Sequence, residues 1–203
     1  RLERIRPANH ESDVLDITTG TIRRIANDAD GAMWDANGDG ILSWTSAGLL
    51  RLHTLSLDGT FQAPVAVRDS VVGNPIQMPT GKIVFILRTG DAFSVMTHDL
   101  VTKEERLLTP LNLPVATTSA QLISAPGAAH VLFRTLQKDV ASSWSILDTA
   151  NGTTKPATIA TPSVVWEDAN RFFFQGTDGM LHRYDSMTNT LQAFPTVNAT
   201  TLP

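Results

Sequence analysis

Ser145-Ile146-Leu147-Asp148-Thr149-Ala150-Asn151-Gly152 is a short apolar run that ends in an aspartate and a polar turn. The same pattern recurs at 14–20, 52–59, 95–102 and 182–189, which places the aligned Asp or Ser positions about forty residues apart. Each copy predicts one β-hairpin, and a unit of this length is too small to bury its own apolar side. The repeat therefore predicts an all-β fold in which successive units stack on one another.

A second hairpin precedes each complete copy and brings the unit to four antiparallel strands, which we call A to D. In the first complete unit, runs ending at Trp34 and Trp44 flank the turn 35–40 between strands A and B. The complete units are predicted at about 31–68, 72–109, 116–160 and 162–195, and residues 1–28 supply three further strands. This arrangement is typical of a β-propeller with four-stranded antiparallel blades and almost no helix.

Residues 196–203 are predicted to supply the strand that the first unit lacks. That closure gives a single propeller domain over 1–203, with five blades of which one is shared between the termini. The tail has few apolar residues, namely Val197, Ala199 and Leu202, and it ends in Pro203. The alternative is therefore a slice of a larger propeller with six to eight blades.

The composition limits the class of protein. The 203-residue chain is 42% hydrophobic and 18% charged, which is typical of a globular domain and not of a disordered one. Its formal net charge of -4 provides no basic surface for nucleic acid. It has no cysteine, which excludes disulfides and cysteine nucleophiles. The longest apolar run, 83–87, is far shorter than the ~20 residues of a membrane-spanning helix.

Two A–B hairpins resemble those of a known family. The hairpin from Trp34 to Trp44 is similar to the Trp-Ser-Pro-Asp-Gly-Lys turn of TolB-type, WD-repeat-like propellers, and the stretch 79–85 keeps its Pro, Gly, Lys and Phe. The outer hairpin 99–109 resembles the same repeat and ends in its Leu-Thr pair. The resemblance implies a periplasmic scaffold, a sensor domain or the propeller cap of a peptidase. We therefore expect a periplasmic or extracellular protein that binds another protein or protein complex.

The turn 35–40 is the sharpest chemical signal. Asp35, Asn37 and Asp39 place side-chain oxygens at alternate positions, as in the first half of a calcium-binding loop. The closing carboxylate is missing, because Ser43 and Ser46 occupy the ninth and twelfth positions. We expect at most a weak Ca²⁺ site and no other cofactor, and the alternative is a glycine-rich A–B turn.

Connections from strand D to the next strand A, and from B to C, emerge at the same edge of their sheets. Five such connections carry aspartates, namely Asp28, Asp30, Asp69, Asp91, Asp139 and Asp178. Together they predict a negative edge that attracts a cationic partner or a metal ion. The alternative is that each aspartate caps its own turn by accepting backbone N–H groups.

The four tryptophans bear on a second candidate function, which is sugar binding. Trp34 and Trp166 align before their A–B turns and predict packing between blades, whereas Trp44 and Trp144 are either sugar-stacking platforms or core residues. The five histidines fall in different registers and predict no metal ring.

The sequence also lacks a nucleophile elbow, a zinc-binding helix and a phosphate loop. We therefore predict a non-catalytic propeller scaffold or protein-interaction domain, a subunit or sensor domain of an exported assembly. The alternative is a carbohydrate-binding or glycosidase-like five-bladed propeller.

Overall fold

The computed structural model describes residues 2–6, 11–16, 19–35, 38–56, 59–137, 144–157, 159, 164–176 and 178–194. Within these ranges the backbone consists of strands and their connections, with one 3-10 turn at Pro126–Ala128 as the single helical segment. The all-β prediction is confirmed.

The strands form five antiparallel sheets, and each sheet takes its strands in chain order. The first sheet contains β1 (Leu2–Arg6), β2 (Glu11–Asp16) and β3 (Thr21–Ala26). The second contains β4 (Gly31–Trp34), β5 (Gly40–Trp44), β6 (Leu50–Thr54) and β7 (Val65–Arg68). The third contains β8 (Val71–Gln77), β9 (Lys82–Thr89), β10 (Ala92–Asp99) and β11 (Glu105–Leu111). The fourth contains β12 (Thr117–Ser124), β13 (His130–Gln137), β14 (Trp144–Asp148) and β15 (Thr154–Ala157). The fifth contains β16 (Val164–Trp166), β17 (Arg171–Gln175), β18 (Leu181–Asp185) and β19 (Thr190–Phe194).

These sheets correspond to the units that the repeat predicts. Four of them have four strands, and the first has the three strands predicted from 1–28. The closing strand predicted from 196–203 lies outside the described residues. The chain divides into two compact units, Arg1–Leu122 and Ile123–Pro203, and one domain over the whole chain stays a prediction.

In the first unit, the central strand of the third sheet is buried on both faces. Ile83, Val84, Phe85 and Ile86 follow one another in β9, and all four are fully buried. Because successive side chains of a strand point to opposite faces, both faces of this sheet are covered. Ile83 and Phe85 pack against Leu42 and its neighbours in the second sheet, and each such side chain contributes about 1.5–3 kcal/mol on burial.

In the second unit, the central strand of the fifth sheet alternates in burial. Phe172 and Phe174 of β17 are buried, while Phe173 between them is half-buried. The two buried rings pack against Leu132 and Ile146 of the fourth sheet. One face of the fifth sheet is therefore covered by the fourth sheet, and its other face is accessible.

The aligned aspartates lie in the C–D turns and cap them. The Asp99 carboxylate accepts the N–H groups of Val101 and Thr102 at 2.9 and 3.0 Å. The Asp185 carboxylate accepts the N–H groups of Met187 and Thr188 at 2.9 and 3.1 Å. These backbone hydrogen bonds lower the pKa of Asp99 and of Asp185. The recurring aspartate is thus a turn-forming residue.

A bulge in β8 brings its backbone close to β12. Gly73 has a φ of 78°, and a Cβ at this position would lie 1.7 Å from the carbonyl oxygen of Ala120. The next residue, Asn74, donates from Nδ2 to the Leu122 carbonyl and accepts the Leu122 N–H at Oδ1, both at 2.9 Å. Its amide therefore bonds to β12 as a neighbouring strand would.

Candidate partner-binding edge

In the first unit, four connections lie in a hydrogen-bonded row. The Ser46 N–H donates to the Asp30 carboxylate and joins the β5–β6 connection to the β3–β4 connection. The Val71 N–H donates to the Gly48 carbonyl at 2.9 Å and joins the same connection to the next one. We call this row the connection edge, and it consists of residues 27–30, 45–49, 69–71 and 88–91.

The last link of the connection edge is also a backbone bond. The Arg88 N–H donates to the Ser70 carbonyl at 2.9 Å, which joins the end of β9 to the β7–β8 connection. Two of the three links are formed by backbone groups alone, so these two do not depend on the side chains that the edge presents. The edge can therefore hold charged side chains at fixed positions.

Two of the predicted aspartates stabilise the edge itself. Asp28 forms a two-point ion pair with Arg51, with N···O distances of 2.6 and 2.9 Å. This guanidinium lowers the pKa of Asp28, so the pair stays ionised. Asp30 accepts the Ser46 N–H of the β5–β6 connection, so it joins two connections and does not cap its own turn through this bond. Neither carboxylate is left with its charge fully available to a partner.

Two further aspartates are placed differently. Asp69 and Asp91 are exposed, and neither forms a hydrogen bond or ion pair with any residue that the structure describes. The nearby Arg88 donates from Nε to the Gly90 carbonyl at 3.0 Å, and its guanidinium lies 5.4 Å from the centre of the Phe93 ring. The connection edge therefore presents two carboxylates to solvent.

In the second unit, Asp178 caps its own turn. It accepts the Met180 N–H at 3.0 Å and lies 3.0 Å from Nε2 of His182. The hydrogen bond from His182 lowers the pKa of Asp178. This position follows the turn-capping alternative. The sixth predicted residue, Asp139, lies outside the described residues.

The turn predicted as a calcium loop is closed by its own backbone. Oδ1 of Asp35 accepts the N–H groups of Asp39 and Gly40 at 3.0 and 3.1 Å. Burial, and then the hydrogen bond with Asp39, raise the pKa of Asp35. Asn37 lies outside the described residues, so the Ca²⁺ site stays a prediction.

The described residues contain no group of three or more His, Asp or Glu side chains that could hold a metal ion. His53 shows that a histidine in a strand can be a core residue and not a metal ligand. It is 1% exposed, and its Nε2 lies 2.7 Å from Oγ of Ser43. Burial, and then the charge of Arg51, lower the pKa of His53, so it is a neutral core residue at pH 7.

Trp144 follows the core alternative and not the sugar-platform alternative. This side chain is only 3% exposed, and the Arg134 guanidinium lies 5.8 Å from its ring centre. Trp44 is half-buried against Gly31, where a Cβ would lie 2.1 Å from the indole. Both rings are held by neighbouring backbone or side chains, which favours the packing alternative.

The packing predictions for the other two tryptophans are confirmed. Trp34 packs against the cluster of Val14 and Ile41, which joins the first and second sheets. Trp166 packs against the core of the second unit, with its ring centre 5.0 Å from that of Phe172.

The sequence does not reveal which polar side chains bond to distant parts of the chain. Besides Asn74, the His130 Nδ1–H donates to the Ala169 carbonyl at 3.0 Å, and the Lys155 ammonium donates to the Ser186 carbonyl. Each bond joins residues more than thirty positions apart. No short-range pattern marks such a residue, because its partner is set by the stacking of sheets.

The sequence matches no family model and no curated protein. Solved structures do match. TolB from Acinetobacter baumannii is 15% identical with a TM-score of 0.60, over 94% of this chain and 51% of that one. Hydrazine synthase from Kuenenia stuttgartiensis is 11% identical with a TM-score of 0.60, over 91% and 61%. A nidogen/laminin complex is 15% identical with a TM-score of 0.56, over 91% and 71%.

At sequence identities this low, the likeness to these structures shows the fold alone. Together with the four-stranded sheets, it confirms a β-propeller with TolB-like repeats. The chain spans about half the length of the TolB chain that it matches, and less than two thirds of the hydrazine synthase chain. Among the described residues, no helix has the length and apolar character needed to cross a membrane.

Proposed function

We propose that this chain is a non-catalytic propeller domain that binds another protein through its connection edge. The observation that carries the proposal is the placement of Asp69 and Asp91. Both carboxylates are exposed on a backbone-bonded edge, and neither forms an ion pair with a described residue. Fixed, unneutralised carboxylates attract and orient a basic segment of a partner.

The comparisons support a protein-binding role without assigning one. One of the matched structures is a complex between nidogen and laminin. Another is named as a synthase, so the same fold also serves catalysis elsewhere. For this chain, the non-catalytic part of the proposal is supported by the lack of a nucleophile elbow, a zinc-binding helix and a phosphate loop in its sequence.

We also propose that the protein acts outside the cytoplasm, as a scaffold subunit or sensor domain of an exported assembly. The support for this location is the resemblance of its A–B turns to TolB-type repeats, together with the structural likeness to TolB. A propeller suits such a role because its connections vary while its sheets stay constant.

A double variant at the edge and a control variant away from it test the binding edge. The probe is a fluorescent twelve-residue peptide of alternating Lys and Ser, followed by anisotropy at low and at physiological salt. We expect the double variant Asp69→Asn, Asp91→Asn to bind about tenfold more weakly at low salt, with the difference reduced as salt screens the charges. Glu104→Gln is the single-charge control, because Glu104 is exposed in a C–D turn away from the edge.

Affinity capture from the producing organism extends the test to whole proteins. A genuine partner is retained by the wild type and by Glu104→Gln, and is lost with the double variant. Equal peptide affinity for the wild type and the double variant would show that these carboxylates do not form the binding surface.

A further inference from the structure

The fourth sheet carries a cavity of about 300 Å³ near its C–D turn. The residues that line the cavity are His130, Ile146, Asp148, Thr153, Thr154 and Lys155. All of them belong to the second unit. Ile146 is 1% exposed and supplies an apolar wall. At roughly 30 Å³ for each water molecule of the liquid, the cavity has room for about ten waters or for one small organic molecule.

Two of the lining side chains are held in place by the fifth sheet. The His130 Nδ1–H donates to the Ala169 carbonyl at 3.0 Å, and the Lys155 ammonium donates to the Ser186 carbonyl. These bonds leave Nε2 of His130 as an acceptor in the neutral imidazole, and they leave two N–H groups of Lys155. Neither remaining set has a hydrogen-bond partner among the residues that the structure describes. The cavity therefore presents fixed polar groups that a ligand can use.

The polar groups lie in two rows across the sheet. His130 is paired with Asp148, whereas Lys155 is paired with Ile146, which lies two residues away from Asp148 along β14. Residues two apart in a strand share a face, and at about 3.3 Å per residue the two rows are roughly 6.6 Å apart. One row presents acceptors, namely the imidazole and the carboxylate, and the other row presents the ammonium donor.

Asp148 determines which end of the cavity can hold an anionic group. Its own turn fixes the carboxylate, because Oδ1 accepts the Ala150 N–H at 2.8 Å and Oδ2 accepts an N–H of the Asn151 amide at 2.9 Å. Each oxygen can still accept a further hydrogen bond, but the negative charge repels a second carboxylate. An anionic group therefore binds beside Lys155, and hydroxyl groups of the same molecule donate to Asp148 and His130.

The other sheets have longer side chains at the position of His130. The residue paired with the aligned aspartate is Lys82 in the third sheet and Arg171 in the fifth sheet. The imidazole of the fourth sheet is shorter than either of these side chains, which leaves room beside the aspartate. The cavity thus depends on residues of the fourth sheet and not on the repeat itself.

We propose that this cavity binds a small hydroxy acid, an organic carboxylate whose carbon chain carries hydroxyl groups. The ligand carboxylate binds Lys155, its hydroxyl groups donate to His130 and Asp148, and its carbon chain spans the two rows. The site uses none of the residues of the connection edge. The proposal therefore goes beyond the proposed function and does not depend on it.

A titration with D-gluconate, followed by amide NMR spectra at low salt, tests the site. The expected result is a saturable shift of the amides of Thr153, Thr154 and Lys155, with a Kd on the order of 1 mM for a ligand of this size. Sorbitol lacks the carboxylate and hexanoate lacks the hydroxyl groups. Each of them should bind at least fivefold more weakly than gluconate, and so should inorganic phosphate, which cannot reach both rows.

Two variants remove one row each. Lys155→Met keeps the aliphatic chain without the charge and should raise the Kd for gluconate about tenfold. His130→Asn keeps a donor for the Ala169 carbonyl and loses Nε2, which should raise the Kd about fivefold. Lys103→Met is the matched control, because Lys103 is exposed in a C–D turn of the first unit, and its Kd should equal that of the wild type. Circular dichroism confirms that the variants remain folded.

Three results would overturn the proposal. The first is the lack of a saturable shift up to about 20 mM gluconate. The second is an unchanged Kd for gluconate in both Lys155→Met and His130→Asn. The third is equal affinity for gluconate and one of the comparison compounds: phosphate or hexanoate would indicate a simple anion site, and sorbitol would indicate a polyol site.

Discussion

Asn74 provides the most direct test of how β8 is held to β12. Its side chain forms two hydrogen bonds with the backbone of Leu122, both at 2.9 Å and both partly buried. Asn74→Ala removes a net contribution of about 1 kcal/mol for each bond and leaves an N–H and a C=O without partners, which costs about 1 kcal/mol more. We expect the free energy of unfolding to fall by about 3 kcal/mol. For a chain of this size, that corresponds to a Tm lower by roughly 6–12 °C.

Urea unfolding and amide hydrogen exchange measure the two parts of this prediction. Asn112→Ala is the matched control, because Asn112 is exposed and should change stability by less than about 0.5 kcal/mol. In Asn74→Ala, the Leu122 amide should exchange faster, since its acceptor is gone. Asn74→Asp keeps that acceptor and loses only the donor, so it should keep the Leu122 amide protected while lowering stability.

A clear result would refute this reasoning. If Asn74→Ala unfolds at the same urea concentration as Asn112→Ala, and the Leu122 amide exchanges as in the wild type, the side chain does not join β8 to β12. The close approach of the two strands would then depend on the bulge at Gly73 alone.

Three further predictions follow from single positions. Gly73→Ala should destabilise the protein by more than about 3 kcal/mol in urea unfolding, because its Cβ would overlap the backbone of β12; Gly90→Ala, which has open space, should cost only about 1 kcal/mol. The hydrogen bond from the Arg171 side chain, followed by hydrogen bonds from backbone N–H groups, lowers the pKa of Asp168 to about 2. The stabilisation from the ionised Asp168 carboxylate is therefore full above about pH 4 and is lost as the pH falls through 2. The Tm values of the wild type and Arg171→Gln should therefore converge as the pH is lowered from 4 to 2. A difference in Tm that stays constant over this range contradicts a stabilising pair between Asp168 and Arg171. A weak Ca²⁺ site at Asp35 predicts about 1.4 kcal/mol of added stability at tenfold excess over its Kd, which Asp35→Asn should remove; an unchanged Tm rejects the site.

The fold was predictable because its signals are short-range. The aligned residues Asp99 and Asp185 accept N–H groups two and three positions ahead, so the geometry that selects an aspartate lies within one turn. The same is true of the strand runs, since their length and apolar character are local. A repeat of such elements then predicts the stacked sheets without any knowledge of which residues meet between them.

The contacts between sheets were not predictable in the same way. Asn74 and Leu122 are 48 positions apart, and nothing near Asn74 in the sequence differs from an ordinary turn. Trp44 and Trp144 have the same side chain, yet one is half-buried and the other is 3% exposed. Their burial depends on how a neighbouring strand or side chain is placed. That information is distributed over the whole chain.

The aspartates of the candidate site depend both on short-range turn geometry and on contacts with distant residues. Asp178 and Asp69 both lie in connections that the sequence assigns to the same edge, but the Asp178 carboxylate accepts hydrogen bonds from a backbone N–H and from His182, while the Asp69 carboxylate has no described partner. A carboxylate that caps its own turn contributes to stability and has little charge left for a ligand. A carboxylate without such a partner contributes little to stability, so a substitution there should weaken binding and leave the fold intact. Stability measurements on the aspartate variants therefore separate structural from binding residues before any partner is identified.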